Sequence, residues 1–410
     1  MKHIVLAAAL GVGVLAAGCA PTGGSAEAER DSGDKPRPPA PPPANAIKLT
    51  VMPREVSGPR ARIEAAIGNV RSRELTTSNG FWTVFHGILG LGPGVMLTNT
   101  DTGQRVNALD YIASGGELRG LRLLPTKYGL DVPWPNGPQG INIPQGVGQG
   151  HQDQFACEMG QWGMPADRKF VVYGKEYTFM HFVRHSQMRA SVTRHQELSW
   201  AAPLIGMYVG LDAAWTTQWG EKLRLEDLVR YEVDASVEQA PCGGTHRLFG
   251  LTWLWHMHLQ RGGKKEGVWK DVAEKTARYK ELARRLQNGD GSFSTNWFQG
   301  PGNSPDRSAR ISTSGHTLEW LALALDDKEI RKDWVENGAN AVALMILELQ
   351  DAPIDGGALY HAVHGLQIYH ARVYDPGMEP PELLYPQPRD RPPLSLAPAG
   401  KAVKLPPPKP

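Results

Sequence analysis

Two kinds of hydrophobic pattern alternate along the chain. Residues 54–75, 104–114, 176–191, 224–237, 268–287 and 332–350 place apolar side chains at helical spacing and gather their charges on one side, as Ala61, Ile63, Ala65, Ala66, Ile67 and Val70 do in the first. Such stretches predict amphipathic helices with one face against a core. Between them lie runs that are apolar on nearly every side: 81–91, 152–162, 196–209, 245–260, 317–325 and 362–373. A helix without a polar face is wrapped by protein on all sides.

The apolar runs share an opening. Gly150-His151, Arg194-His195, Thr245-His246, Gly315-His316 and Tyr360-His361 each precede or begin one, while Ser78-Asn79-Gly80 opens a weaker first copy. Phe85-His86-Gly87-Ile88-Leu89 also echoes Val363-His364-Gly365-Leu366-Gln367. A supersecondary unit is therefore repeated. Helices joined by short connections run antiparallel, so the apolar members all start at the same end. The predicted architecture is all-α, an (α/α)6 toroid with the apolar helices inside and the amphipathic ones outside.

Two interruptions stand out. Residues 117–147 alternate apolar and polar positions around a turn and read as a β-hairpin followed by a Gly/Pro-rich loop. Residues 289–312, with Trp297 and Phe298, form a long loop before the fifth inner helix; loops of that length in a compact domain are often functional lids.

The ends differ from the middle. Met1-Lys2-His3 and the apolar run 4–17 read as an export signal, and Ala16-Ala17-Gly18-Cys19 is similar to a lipoprotein cleavage site that would leave a lipidated Cys19. The expected organisation is a signal over 1–19, a proline-rich linker over 20–47, the helical domain over 48–375 and a proline-rich tail over 376–410. This predicts a lipid-anchored protein of the cell envelope. The net charge of +2 includes no basic stripe, which argues against nucleic acid as a partner. Cys157 and Cys242 could form a bridge or remain two buried thiols.

If the inner helices start at one end, their free N–H groups surround one opening and favour an anionic ligand there. His151, His195, His246, His316 and His361 would rim that opening, with His364 a turn deeper. Asp153, Glu197 and Glu319 stand within three residues of these histidines, and acid–imidazole pairs are the material of general acid/base chemistry. Cys242, near a helix start, is a candidate nucleophile. Cys242, His246 and His361 could also hold zinc. Trp297, Phe298 and Tyr360 are candidate ligand contacts, and Arg310 a candidate anion contact. Each histidine could instead simply fix the entrance of its helix through a loop carbonyl.

The pattern resembles the α/α-toroid superfamily of terpene cyclases, prenyltransferase β-subunits and complement thioester domains. Leu286-Gln287 with Asp290-Gly291-Ser292-Phe293 is similar to the glutamine and aromatic repeat of the first two, and Tyr360-His361 to the helix start that supplies a prenyltransferase zinc ligand. More narrowly, the domain looks like a group of exported bacterial toroid proteins without an established activity. The relatives' own chemistry is not written here: there is no Asp-x-Asp-Asp run, Ala240 replaces the aspartate of Asp-x-Cys, and Cys242-Gly243-Gly244-Thr245 lacks the glutamine of a thioester. The expected function is binding of an anionic or amphipathic envelope ligand, a glycan or small molecule. Cyclase- or prenyltransferase-like action, or polysaccharide lyase or hydrolase action, is its catalytic version. The alternative is a non-catalytic protein-binding scaffold.

Overall fold

The computed structural model describes residues 57–135, 147–350 and 352–374. The expected signal, Cys19, the linker and the tail lie outside the described residues, as does most of the Gly/Pro-rich loop. What is described is mostly helical, with a few short strands. No described helix is long and apolar enough to cross a membrane.

The amphipathic stretches form α1 (Pro59–Ser72), α3 (Ala108–Ala113), α5 (Phe179–Arg189), α7 (Leu225–Asp234), α9 (Gly267–Arg285) and α11 (Asp333–Leu349). The apolar runs form α2 (Gly80–Leu91), α4 (Gln154–Gln161), α6 (Ala201–Tyr208), α8 (Thr245–Gln260), α10 (Arg307–Ala324) and α12 (Gly356–Val373). All residues of α4 and all but the last of α12 are buried, as all-round apolarity requires. The even helices touch in sequence, α2 to α4, α6, α8, α10 and α12, and α12 returns to α2. Around them α1 packs on α11 and α12, and α9 on α7 and α8.

Several even helices begin at places other than expected. The run at 317–325 starts nearly three turns earlier in the structure, at Arg307, because Asp306 accepts from the backbone N–H groups of Ser308 and Ala309 and caps the helix there. Likewise Asp355 accepts from the Ala358 N–H and starts α12 at Gly356. His316 and His361 therefore lie inside their helices rather than in the first turn. The run at 196–209 begins late, at Ala201. Here Glu232 takes the Leu198 N–H and the Ser199 hydroxyl, holding residues 196–199 in an irregular segment.

The hairpin expected within 117–147 is reduced to β4 (Leu124–Pro125) against β5 (Leu130–Asp131). The structure adds three hairpins that follow α2, α4 and α6. They are β2 (Met96–Thr98) with β3 (Arg105–Asn107), β6 (Lys169–Val172) with β7 (Lys175–Thr178), and β8 (Ala214–Thr216) with β9 (Lys222–Arg224). A further short strand, β1 (Leu75–Thr76), runs parallel to β2. In each hairpin a left-handed glycine, Gly103, Gly174 or Gly220, precedes the second strand, which feeds directly into the next odd helix. The junction is capped each time: Asn107 accepts from the Asp110 N–H, and the His181 ring and the Asp227 carboxylate accept from the Thr178 and Arg224 N–H groups.

The approach of α10 and α12 matters most for the site. A Cβ on Gly365 would lie 2.8 Å from the Glu319 backbone nitrogen, so only hydrogen fits. That contact sets Glu319 and His316 of α10 against His361 and His364 of α12.

Candidate functional site

The even helices converge on a buried group of imidazoles. His246 and His316 have ring centroids 5.1 Å apart, His246 and His361 5.3 Å, and His316 and His361 4.1 Å. His151 joins at 4.7 Å from His246, and His86 at 5.3 Å from His361. All five are buried. Burial pushes the His246 and His361 pKa values well below the ordinary value, with neighbouring histidines acting in the same direction. Burial also lowers His316, and lowers His86 to about 3. The His86, His246, His316 and His361 imidazoles are therefore neutral at physiological pH, and each offers a lone pair.

Hydrogen bonds to one nitrogen fix what the other can do. His316 Nδ1 donates to the Ser312 carbonyl at 2.7 Å, and His361 Nδ1 to Glu319 Oε2, also at 2.7 Å. The second Glu319 oxygen accepts from His364 Nδ1 at 2.6 Å. His316 and His361 thereby keep Nε2 as their lone-pair atom. His246 has no hydrogen-bond partner on either ring nitrogen, although both are buried. An orphaned buried polar group costs about 1–3 kcal/mol and requires an explanation. One potential ligand atom from each of His246, His316 and His361 falls within 4.8 Å of the other two. The same holds for His151, Cys242 and His246, and for His86, Glu158 and His361.

Those last two groups are already engaged. His151 Nδ1 donates to Glu197 Oε2 at 2.8 Å, and its Nε2 lies 3.6 Å from Cys242 Sγ. His86 Nδ1 donates to the Trp82 carbonyl, while Nε2 accepts from the Gln154 amide at 3.1 Å. The same amide donates to Glu158 at 2.8 Å, and Gln154 Oε1 accepts from the Gly150 and His151 N–H groups. Burial drives the Glu158 pKa far up, with Glu319 adding to the shift, so its carboxyl is held neutral.

Glu158→Gln is therefore expected to stabilise the fold increasingly as pH rises. Below the unfolded carboxyl's pKa both states carry the proton, whereas above it the unfolded state ionises while Glu158 cannot. The native chain then loses about 1.4 kcal/mol per pH unit that glutamine does not. Urea midpoints of the two proteins at pH 5 and pH 8 measure this; an equal difference at both values would contradict it.

Several expected roles change. His195 is exposed in the segment before α6 and does not join the cluster. Its neighbour Glu197 reaches His151 instead, from the irregular segment that Glu232 holds ahead of α6. Asp153 does not pair with His151: it binds Arg189 at 2.5 Å, as Asp131 does at 2.8 Å. Glu319 serves His361 and His364 rather than His316. The expected zinc set is divided, since Cys242 and His361 each group with His246 but not with one another. Cys157 and Cys242 are separate buried thiols.

Of the expected ligand contacts, Trp297 comes closest to the cluster, its ring 5.8 Å from that of His316. Phe298 is buried against Tyr279 and Trp320, and Tyr360 is buried against α2 at Gly87 and Gly90. Arg310 pairs with Asp290 and ties the long loop to α10. The open rim of helix N-termini is not observed. Only His246 sits in a first helical turn, and the imidazoles are enclosed. A cavity of about 260 Å³ opens elsewhere, lined by Ile88, Met159, Trp162, Met164 and Arg168 among others, and by none of the expected site residues.

Sequence reasoning passed over His86 as a site residue, and with it Gln154, Glu158 and Trp200. The parallel between Phe85-His86-Gly87 and Val363-His364-Gly365 was a usable signal for the first. Trp200, 4.7 Å from His246 by ring centroid, carried none.

No family model, curated protein or solved structure matches this chain.

Proposed function

We propose that this chain is an exported (α/α)6 toroid whose interior holds a divalent transition-metal ion on His246, His316 and His361. The metal centre would act on an anionic envelope ligand. Support for the toroid comes from the closed circuit of even helices and the six-fold alternation behind it. Export and anchoring through Cys19 rest on the N-terminal sequence alone.

The observation that carries the metal is His246, buried with both nitrogens unpartnered beside two imidazoles whose lone pairs are free to ligate. The His361–Glu319 and His316–carbonyl bonds are the outer contacts that orient metal-bound histidines. Neutral imidazoles suit zinc, copper, iron or nickel. Three protein ligands leave a further position for water, and a zinc ion there would supply a hydroxide near neutral pH. Because the histidines are neutral, the ion's charge is uncompensated by its ligands, which favours a carboxylate, phosphate or sulfate group on the ligand.

The test is metal content. The purified protein is expected to carry about one equivalent of a transition metal by elemental analysis, and the chelated protein to rebind cobalt with a tetrahedral absorption spectrum. His246→Leu loses no hydrogen bond in the metal-free protein and is expected to fold yet lose the metal. A folded native protein that neither carries nor binds zinc or cobalt at micromolar concentration would end the proposal.

A further inference from the structure

Beside the three-histidine group, and using different residues, lies a second constellation. Cys242 Sγ stands 3.6 Å from His151 Nε2, and His151 Nδ1 donates to Glu197 at 2.8 Å. From these contacts we infer that Cys242, His151 and Glu197 form a nucleophile, base and positioning residue for acyl transfer from a carboxylic ester or thioester. This inference does not rest on the metal.

The backbone places the thiol in an unusual way. Cys242 has φ 50° and ψ 39°, a left-handed conformation that few side chains other than glycine, asparagine and aspartate adopt. Strain of this kind costs about 1–3 kcal/mol and concentrates where a side chain must be presented. Gly243 and Gly244 continue the turn at positive φ and lead into α8, whose N-terminus faces back toward Cys242. Thr245 donates its hydroxyl to the Cys242 carbonyl at 2.8 Å and holds the turn. The three residues come from separate segments: the turn before α8, the loop before α4, and the irregular stretch before α6. A sixteen-residue helix N-terminus favours negative charge, here a thiolate or an oxyanion.

The hydrogen bonds assign direction. Since Glu197 accepts from Nδ1, His151 carries its lone pair on Nε2, and the thiol proton points to it. In the first step Nε2 takes that proton while sulfur attacks the carbonyl carbon. The carbon–oxygen or carbon–sulfur bond to the leaving group breaks, and His151 returns the proton to the departing oxygen or sulfur. An S-acyl Cys242 results. Water, deprotonated by His151, then attacks the acyl carbon, releases the carboxylic acid and restores the thiol. No oxidant or reductant is required.

Access is controlled at Gly243. A Cβ there would lie 2.2 Å from the Trp297 side chain, so the indole rests directly on the turn that bears the nucleophile. Trp297 is itself at positive φ on the long loop. Cys242 is 7% exposed and Cys157 1%, so the second thiol is an internal control in the same chain. Burial also raises the Cys157 pKa well above its ordinary value and keeps that thiol inert.

The experiment uses the full chain after EDTA treatment, at pH 7, with iodoacetamide and then p-nitrophenyl acetate, read by peptide mass spectrometry. Cys242 is expected to be alkylated at least tenfold faster than Cys157 and to appear as the acetylated residue. His151→Asn is expected to lower both reactions at least tenfold. Glu197→Leu is expected to lower kcat for the acetate ester with KM unchanged, and Glu197→Asp to recover it, which a purely structural role would not produce. Equal labelling of the two cysteines in native protein, or labelling of Cys242 untouched by His151→Asn in a folded variant, overturns the assignment. So does protection of Cys242 by added zinc, which would make the thiol a metal ligand. Absence of metal binding would not affect any of these outcomes.

Discussion

Arg189→Met is expected to destabilise the protein by about 3–5 kcal/mol, because it strands two buried carboxylates. Arg189 is buried and donates to Asp131 and to Asp153, with its guanidinium carbon 4.3 Å from the centre of the Trp134 ring. Removing it leaves two negative charges in the interior with one histidine, His185, near Asp131. The loss matters for function as well as stability. Asp153 follows His151 by two residues and has a left-handed φ of 63°, so the Arg189 bond holds the turn that presents His151 to Cys242 and His246. The variant should therefore show a lower urea midpoint and slower Cys242 alkylation together. Arg189→Lys should rescue only part, since an ammonium cannot span both carboxylates with a planar fork. An Arg189→Met protein with an unchanged midpoint would show that the pair is stably accommodated without its cation.

How much of this was legible beforehand depends on how locally each feature is encoded. The twelve α-helices among the described residues were readable because amphipathic and all-round apolar stretches differ within a single window, as 268–287 and 245–260 do. The gathering of His246, His316 and His361 could be anticipated from recurrence alone. Their depth could not, because Asp306 and Asp355 cap their helices well before the apolar runs begin. Pairing was misjudged where proximity in sequence stood in for proximity in space. Asp153 was matched to His151 and Glu319 to His316, yet the partners came from other helices: Arg189 of α5 takes Asp153, and His361 and His364 of α12 take Glu319. The three extra hairpins were hidden for a different reason. Their strands are three or four residues long, too short for a period-2 signal. The recurring glycine, strand, cap and apolar start at Gly103, Gly174 and Gly220 was visible only by aligning the connections rather than the helices. Glu158 gave no sign of being neutral, since desolvation is a property of the packed interior and not of residues 154–161.

The enclosed imidazoles make a second large prediction, that stability falls steeply on mild acidification. His86, His246, His316 and His361 all have depressed pKa values in the folded chain, burial being the leading cause. Above pH about 6.5, the free histidine value, both states are neutral and no proton is exchanged. As pH falls below it the unfolded chain takes up protons that the folded chain refuses, and each histidine costs about 1.4 kcal/mol per pH unit until its own folded pKa is reached. For His86, at about 3, the cost at pH 5 is already roughly 2 kcal/mol. Counting the three strongly shifted histidines, His86, His246 and His361, against one opposing proton from Glu158, the net slope approaches roughly 3 kcal/mol per pH unit at its steepest. A domain with about 5–15 kcal/mol in total cannot sustain that slope far. The urea midpoint of chelated protein is expected to drop sharply between pH 6.5 and 5, and unfolding to take up about two protons. His246→Leu should remove about one proton from that uptake and flatten the curve, and Glu158→Gln should steepen it. Bound metal should raise the whole curve without steepening it in this window, because the folded imidazoles already carry no proton there. A midpoint that stays level across this window would mean these histidines are solvated or charged in the folded chain, and the metal site would then lack the lone pairs assigned to it.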